Sequence, residues 1–305
     1  MPFQKQKFPT VELGYTQNFL KDPVLVSKLV SQAKLEPGST VLEIGPGKGI
    51  ITDQLAKAVG EQGRVIALEL DASLAKELHN RYQAKAQVTI IQQDALTYPL
   101  QQLPQPYQVF ANVPFSITAR LFEWLFDPLT GPEVAHLIVQ QETVTEMSKN
   151  HHPQATFKSL LILPWYEIKL MHRFAKTDFS PAPSVNTALY RFSRRSQPLV
   201  TVTQSAAWQD FLAYISHDRV GEGAWLKLST KKQMPSFAAQ TKLQLSRGLK
   251  SQSLESLVAA FQLLESESAN YRRYTLGALE ILRREQAKVL AVNLAGGHHA
   301  SKTRH

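Results

Sequence analysis

Residues 39–59 read STVLEIGPGKGIITDQLAKAV. The run TVLEI (40–44) is apolar and β-rich, and three glycines, Gly45, Gly47 and Gly49, follow it at alternate positions. The segment ITDQLAKAV (51–59) then places its apolar residues at helical spacing. A buried strand, a tight glycine turn and an amphipathic helix in that order open a βαβ unit. Glycines there let the backbone turn sharply and lie close against a ligand, while the helix that follows presents its free N–H groups.

The same alternation continues outward from this stretch. Further strand candidates are RVIALEL (64–70), QVTIIQ (87–92), QVFAN (108–112), VAHLIVQ (134–140), LLILPWYEIKL (160–170) and NTALYRF (186–192), and ASLAKELHNRYQAK (72–85) reads as a helix between the early ones. Strands alternating with helices predict an α/β fold with an open, mostly parallel, Rossmann-like sheet. After about residue 200 the pattern turns helical, in SAAWQDFLAYIS (205–216), SLESLVAAFQLLE (253–265) and YRRYTLGALEILRREQAKVL (271–290). The expected division is therefore a ligand-binding catalytic domain over 1–199, a small helical domain over 200–268 and a basic extension over 269–305.

Ligands of open parallel sheets bind at the carboxyl ends of the strands. Glu69 closes the second strand, 20 positions after Gly49, where a carboxylate accepts both hydroxyls of a ribose. Asp94, followed by Ala95 at the end of the third strand, is placed to accept from an adenine amino group. Loop, ribose acceptor and adenine acceptor on successive strands describe a nucleoside cofactor, either NAD or S-adenosylmethionine. The spacing Gly-x-Gly-x-Gly departs from the dinucleotide fingerprint, and the fourth strand end decides for S-adenosylmethionine. It reads Asn112-Val113-Pro114-Phe115. An exocyclic adenine amine is a poor nucleophile because its lone pair is delocalised into the ring. The Asn112 side-chain oxygen and the Val113 carbonyl, each accepting one amine hydrogen, favour a pyramidal nitrogen, and Pro114 stiffens the turn. Phe115 offers a face on which an unstacked base lies.

Composition narrows the partners. The 305 residues are 43% hydrophobic, enough for a sizeable core, and no cysteine is present, which excludes disulfides, thiolate nucleophiles and cysteine-bound zinc. No metal site is expected. Nor does any uninterrupted apolar run reach the length of a membrane span, and the first 20 residues lack the apolar stretch of a signal peptide, so a cytoplasmic, monomeric protein is expected. The formal charge of +9 suggests a polyanionic partner. Residues 1–195 carry 20 basic and 17 acidic side chains, and residues 196–305 carry 14 and 8. A basic rim beside the pocket is expected from Arg191, Arg194 and Arg195, supported by Lys231 and Lys232.

Taken together, GYTQNFL (14–20), VLEIGPGKG (41–49), ALELD (67–71), QQDAL (92–96), NVPFSIT (112–118) and FSPAPSVNTALYRF (179–192) resemble the ribosomal RNA adenine N6-methyltransferases. The resemblance implies that Asn18 and the backbone at Leu20 contact the cofactor beside Gly45, Gly47, Glu69, Asp94, Ala95 and Asn112, and that Phe179 lies near the second face of the target base. Two branches compete. WQDFLAYISHDR (208–219) and LSTKKQMPSFAAQTKLQL (228–245) look like the small helical domain of the erythromycin-resistance (Erm) enzymes, whose substrate is 23S rRNA. The other branch comprises the small-subunit dimethyladenosine transferases, whose arginine-rich signature has only a faint echo in RRYTLGAL (272–279). An RNA-binding relative without activity, or a DNA adenine methyltransferase with a similar Asn-Pro turn, are the remaining readings.

Overall fold

In the computed structural model the described residues are 18–148, 156–216, 225, 227–229, 232–245, 249, 252–267 and 271–297. Lys231 lies outside them. In chain order the elements are β1 (Phe19–Leu20), α1 (Pro23–Ala33), β2 (Thr40–Ile44), α2 (Ile50–Val59), β3 (Arg64–Glu69), α3 (Ala72–Tyr82), β4 (Val88–Gln92), β5 (Tyr107–Asn112), α4 (Thr118–Leu125), β6 (Val134–Gln140), α5 (Gln141–Ser148), α6 (Phe157–Leu160), β7 (Tyr166–Arg173), β8 (Phe179–Ser180) and β9 (Thr187–Arg194). The helical remainder comprises α7 (Ser205–Ser216), α8 (Met234–Thr241), α9 (Leu254–Glu267), α10 (Tyr271–Thr275) and α11 (Ala278–Gly297).

Seven strands form one sheet in the order β4-β3-β2-β5-β6-β9-β7. Strands β2 to β6 are mutually parallel, and β9 runs antiparallel to both its neighbours. Strand order reverses between β2 and β5. There Ile44 pairs with Ala111, so Gly45 and Asn112 leave the sheet side by side. One sheet face, with Val41, Val65, Phe110 and Ile138, packs on Leu29, Leu55 and Leu78 of α1, α2 and α3. The other face, with Leu42, Val109 and Leu137, packs on Leu121, Phe122 and Leu125 of α4, and its core runs on into Trp208, Phe211 and Phe261. The described residues contain no helix long and apolar enough to cross a membrane.

Local chemistry sets the helix starts. Asp22 accepts from the Val24 N–H and Pro23 occupies the first turn of α1, while Asp71 accepts from Ser73 and Leu74 at the start of α3. Gly49, at φ 78°, makes the entry to α2. Neither α1 nor the two-residue pair β1 and β8 stands out in the sequence.

Three expectations are corrected. The apolar run at 160–170 is a strand only from Tyr166. Its first part forms α6 and a turn, because Pro164 has no N–H for a ladder and Leu160, Ile162, Leu163 and Trp165 bury as a helical corner instead. The segment 271–290 is two helices, broken at Gly277, whose φ of +79° is left-handed. Residues from 271 onward also pack into the helical region: Tyr271 is buried against Phe211 and Phe261, and both carboxylate oxygens of Asp210 on α7 accept from the N–H groups of Gly277 and Leu279. A boundary at 268/269 therefore cuts through a packed unit rather than separating an extension from it.

Candidate active site

The carboxyl ends of β2, β3, β4 and β5 surround a cavity of about 590 Å3 lined by Gly45, Glu69, Asp94, Ala95 and Pro114 among others. A smaller one of about 40 Å3 adjoins it, sharing Gly45 and Pro114 and adding Asn18, Phe19, Asn112, Val113 and Phe115. Of the residues expected at the cofactor, Gly45, Glu69, Asp94 and Ala95 meet in the large cavity, and Asn18 and Asn112 in the small one. Gly47 and Leu20 line neither; the Leu20 side chain is buried, and its backbone pairs with Phe179.

The glycine turn is shaped by what it touches. A Cβ on Gly45 would meet no protein atom, and this residue borders both cavities. Gly47 has φ +57°, and a Cβ there would stand 2.5 Å from the Phe19 ring. At Gly49 it would stand 2.7 Å from the Tyr82 hydroxyl. That hydroxyl shares its one proton between the Gly49 carbonyl and Asp53 Oδ1, each 3.0 Å away, while Arg81 donates to the Lys48 carbonyl (3.0 Å) and pairs with Asp53. α3 thus braces the turn from behind, which no motif in the sequence announces.

Glu69 is almost completely buried and ties the glycine turn to the start of α3. Its Oε2 accepts from the Gly47 N–H and its Oε1 from the Asp71 N–H, each at 3.0 Å. Each carboxylate oxygen has a second lone pair for a ligand hydroxyl. Asp94 Oδ1 caps the turn after β4 by accepting from Leu96 N–H at 3.0 Å. Open space beside Gly45, the Glu69 carboxylate and Asp94 together suit a nucleoside with a polar tail.

In the small cavity, Asn112 Nδ2 donates to the Asn18 carbonyl at 2.7 Å. A carbonyl only accepts, so this contact fixes which end of the amide is which and leaves Oδ1 as the group available to a substrate donor. Asn18 is itself held by its own amide, which donates to the Pro181 carbonyl at 2.7 Å. Val113 N–H donates to Ile138 O, tying the turn to β6. Phe115 is half-buried at the small cavity. Phe179 is only 3% exposed, its ring edge-on to Phe174 at 5.2 Å, within the core beneath β1.

The arginines expected at the rim are elsewhere. Because β9 is antiparallel to β6, with Thr187 opposite Gln140 and Ser193 opposite Val134, travel along β9 from the Phe179 loop leads away from the carboxyl ends. Arg194 donates to the carbonyls of Pro128 and Gly131 at 2.7 Å and to the Tyr166 hydroxyl at 2.9 Å, and it lies over the Tyr166 ring. Arg195 donates to Leu163 O (3.0 Å) and Glu167 (2.9 Å). Both tie loops together at the opposite end of the sheet. Arg191 sits mid-strand between His136 and Lys169. Lys232 is exposed in the helical region. Among the large-cavity residues that sequence reading did not single out are Ile117 and Arg120, three apart behind Pro114, and it also missed Phe19 of the small cavity. The described residues include no cluster of three or more His, Asp or Glu suited to a metal ion.

Two residues before Gly45, Glu43 is buried in the middle of β2. Burial pushes its carboxyl up to about 8, against a nearby Thr52 hydroxyl that works the other way. The protonated form is therefore favoured in the fold. Its contribution is fully present below pH 4.5 and is lost as pH rises through about 8. Glu43→Gln, neutral at every pH, should remove this alkaline loss and be the more stable protein at pH 8.5 by on the order of a few kcal/mol. At pH 4.5 the two should nearly coincide. Urea unfolding at both pH values measures it, and equal stability differences at the two pH values would contradict it. His136, stacked on Phe110 at 5.8 Å, behaves with opposite sign: burial lowers it to about 4, so its contribution is lost as pH falls from 6.5 towards 4.

Residues 10–221 match the family model described as ribosomal RNA adenine dimethylase. The chain is 30% identical over 223 residues to an rRNA adenine N-6-methyltransferase of Aeromicrobium erythreum, covering 72% of this chain and 62% of that relative, less than two thirds of its length. It is 32% identical over 251 residues to the ribosomal RNA small subunit methyltransferase A of Streptococcus equi subsp. zooepidemicus, covering 79% and 83%. Among solved structures, the crystal structure of the 23S rRNA methyltransferase ErmE superposes with a TM-score of 0.69 at 22% identity, over 81% of this chain and all of that one, which shows a shared fold. With a family model matching residues 10–221 and a relative 32% identical over 79% of the chain, the chain belongs to the ribosomal RNA adenine dimethylase family.

Proposed function

We propose that this chain is an S-adenosylmethionine-dependent methyltransferase acting on the exocyclic N6 of an adenine in 23S rRNA, with resistance to macrolide-type antibiotics as the consequence. The observation that carries the reaction class is the Asn112 amide at the small cavity, whose Nδ2 is held by the Asn18 carbonyl so that Oδ1 is left to accept from a substrate.

S-adenosylmethionine, when bound, supplies an electrophilic methyl carbon on a sulfonium. Glu69 accepts from the ribose hydroxyls while its bonds to Gly47 and Asp71 hold the cavity walls in register, and Asp94, with Ala95 behind it, accepts from the cofactor's adenine amine. On the acceptor side, Asn112 Oδ1 and the Val113 carbonyl each take one hydrogen of the target amine, so that the nitrogen lone pair points into the large cavity. Preorganised dipoles aimed at the group that changes charge favour the transition state over the ground state. As N6 took the methyl group, the carbon–sulfur bond would break and leave a neutral thioether, and the resulting acidic ammonium would give up one proton to solvent water. A strong general base is therefore unnecessary, and none is required of Asn112. Phe115 receives the face of the flipped base.

The 23S assignment over its small-subunit counterpart is supported by the helical-domain segments at 208–219 and 228–245 and by the likeness to ErmE across that protein's whole length. The small-subunit reading is favoured by one specific observation, the Streptococcus relative aligned over 83% of its length. Mapping methylated adenines in both rRNAs from cells with and without the gene decides between them. A new N6-methyladenine in 23S rRNA together with macrolide tolerance is expected, and new methylation confined to 16S rRNA would replace the 23S assignment.

A further inference from the structure

We infer that β7, the outer strand of the sheet, is a contact edge for the phosphate backbone of the RNA substrate, through Lys169 and Arg173. This rests on the rRNA reading above. Strand β7 pairs with β9 alone among the described strands, so its other edge carries no strand. It runs in the direction of β6, because both are antiparallel to β9. Its last residues therefore arrive at the end of the sheet that holds the candidate active site, the direction that β9 denies to Arg194 and Arg195. Arg173 stands opposite Ala188, and Ala188 opposite Val139, one residue beyond the Ile138 that pairs with Asn112. Three strand spacings separate Arg173 from the Asn112 turn, about 14 Å, within reach of nucleotides next to a target adenine.

Lys169 is placed at a cost that the fold does not explain. It lies directly opposite Arg191, and like charges so placed repel across a Cβ separation of about 5 Å. On the far side of Arg191 the opposite residue is His136, which is buried and neutral and supplies no negative charge. Glu167, two residues before Lys169, is engaged by Arg195 at 2.9 Å. Among the described residues the side chains of Lys169, Arg173 and Arg191 make no hydrogen bond or ion pair, and Arg191 Nε is buried without a partner. Lys169 and Arg173 are both exposed. A phosphate over Lys169 offsets both cations of the like-charged pair. Arg173, opposite a residue three positions from Arg191, leans to the other face of the sheet, so a ligand that meets both exposed cations lies along the open edge. A flexible polyanion can do that and a single small anion cannot. Lysine on an open strand also guards against pairing with another strand, and the two roles separate in their response to salt.

The test measures binding of the full-length protein to unmethylated bacterial 23S rRNA over a salt series. The double variant Lys169→Gln/Arg173→Gln should bind roughly tenfold more weakly, or worse, at about 0.1 M salt, with the slope of log affinity against log salt reduced by about 1.4 to 1.8, the share of two contacts. Arg64→Gln, which removes an exposed cation where β3 begins, at the opposite end of the sheet, should leave both unchanged. Lys169→Gln alone should weaken RNA binding while its urea midpoint stays level or rises, because repulsion from Arg191 is relieved. An unchanged slope in the double variant would overturn the inference, and new self-association of that variant in sedimentation would then assign the cations to guarding the edge. An equal loss in Arg64→Gln would overturn it as well, since binding would then follow net charge and not this edge. Should the double variant fold poorly, Lys169→Gln decides by a slope change of about 0.7 to 0.9. Methyl transfer to the same RNA tests the adenine N6 reading separately: salt-dependent binding at this edge without transfer would strike that reading and leave this inference standing.

Discussion

Asn112→Ala should lower the single-turnover rate of methyl transfer by about 10^2 to 10^3, the cost of removing one preorganised hydrogen-bonding group aimed at a reacting centre, ~3–4 kcal/mol. Affinity for RNA should change far less, because most of that affinity comes from phosphate contacts remote from the amine. Losses in kcat and in kcat/KM should therefore be similar, the signature of an interaction made chiefly in the transition state. Asn112→Asp makes the prediction sharper. The carboxylate keeps an acceptor for the amine but has no N–H to donate to the Asn18 carbonyl, 2.7 Å from Nδ2 in the parent, and would face that carbonyl oxygen with a negative charge. It should be no better than Ala. If a folded Asn112→Ala protein transfers methyl at near-parental single-turnover rate, the amide is not the acceptor for the target amine.

Glu69→Ala should weaken S-adenosylmethionine binding about 100-fold, towards the upper end of what a charge-assisted hydrogen bond contributes, ~3 kcal/mol. The carboxylate has duties on both sides of the cavity: it accepts from the N–H groups of Gly47 and Asp71, so its loss loosens the glycine turn as well as removing the ribose acceptor. Glu69→Gln should recover little. Its amide carries one oxygen for two backbone N–H donors and turns an NH2 towards the other. Calorimetry with the cofactor, alongside a melting curve to verify folding, measures both variants. Unchanged affinity in Glu69→Ala would remove this residue from the cofactor site, and full recovery in Glu69→Gln would show that the bridge between the walls is immaterial.

Much of this protein is legible without coordinates, for reasons that are local. The strand, glycine turn and helix over 39–59, the succession of β-rich runs and the residues closing them need only periodicity and turn chemistry, and Gly45, Glu69, Asp94 and Asn112 end adjacent strands of one parallel sheet. Parallel strands share a direction, so residues at their carboxyl ends gather at one edge of the sheet whatever the loops do. What failed depended on direction or on packing. Arg191, Arg194 and Arg195 follow the Phe179 loop by only a dozen or so residues, yet the antiparallel run of β9 leads away from the site, leaving Arg191 mid-strand and taking Arg194 and Arg195 to the far edge, where carbonyls of the 128–132 loop claim Arg194. Sequence spacing carries no sign for a strand, and only the hydrogen-bond register supplies it. The run at 160–170 was ambiguous because a short apolar stretch buries equally well as strand or helical corner. Phe19 and Phe179 are both aromatic residues in motifs of the family. Which of them faces the cavity is decided by the antiparallel pairing of β1 with β8, a contact between segments some 160 residues apart, which buries Phe179 against Leu20 and leaves the neighbouring ring on Gly47 beside the Asn112 turn.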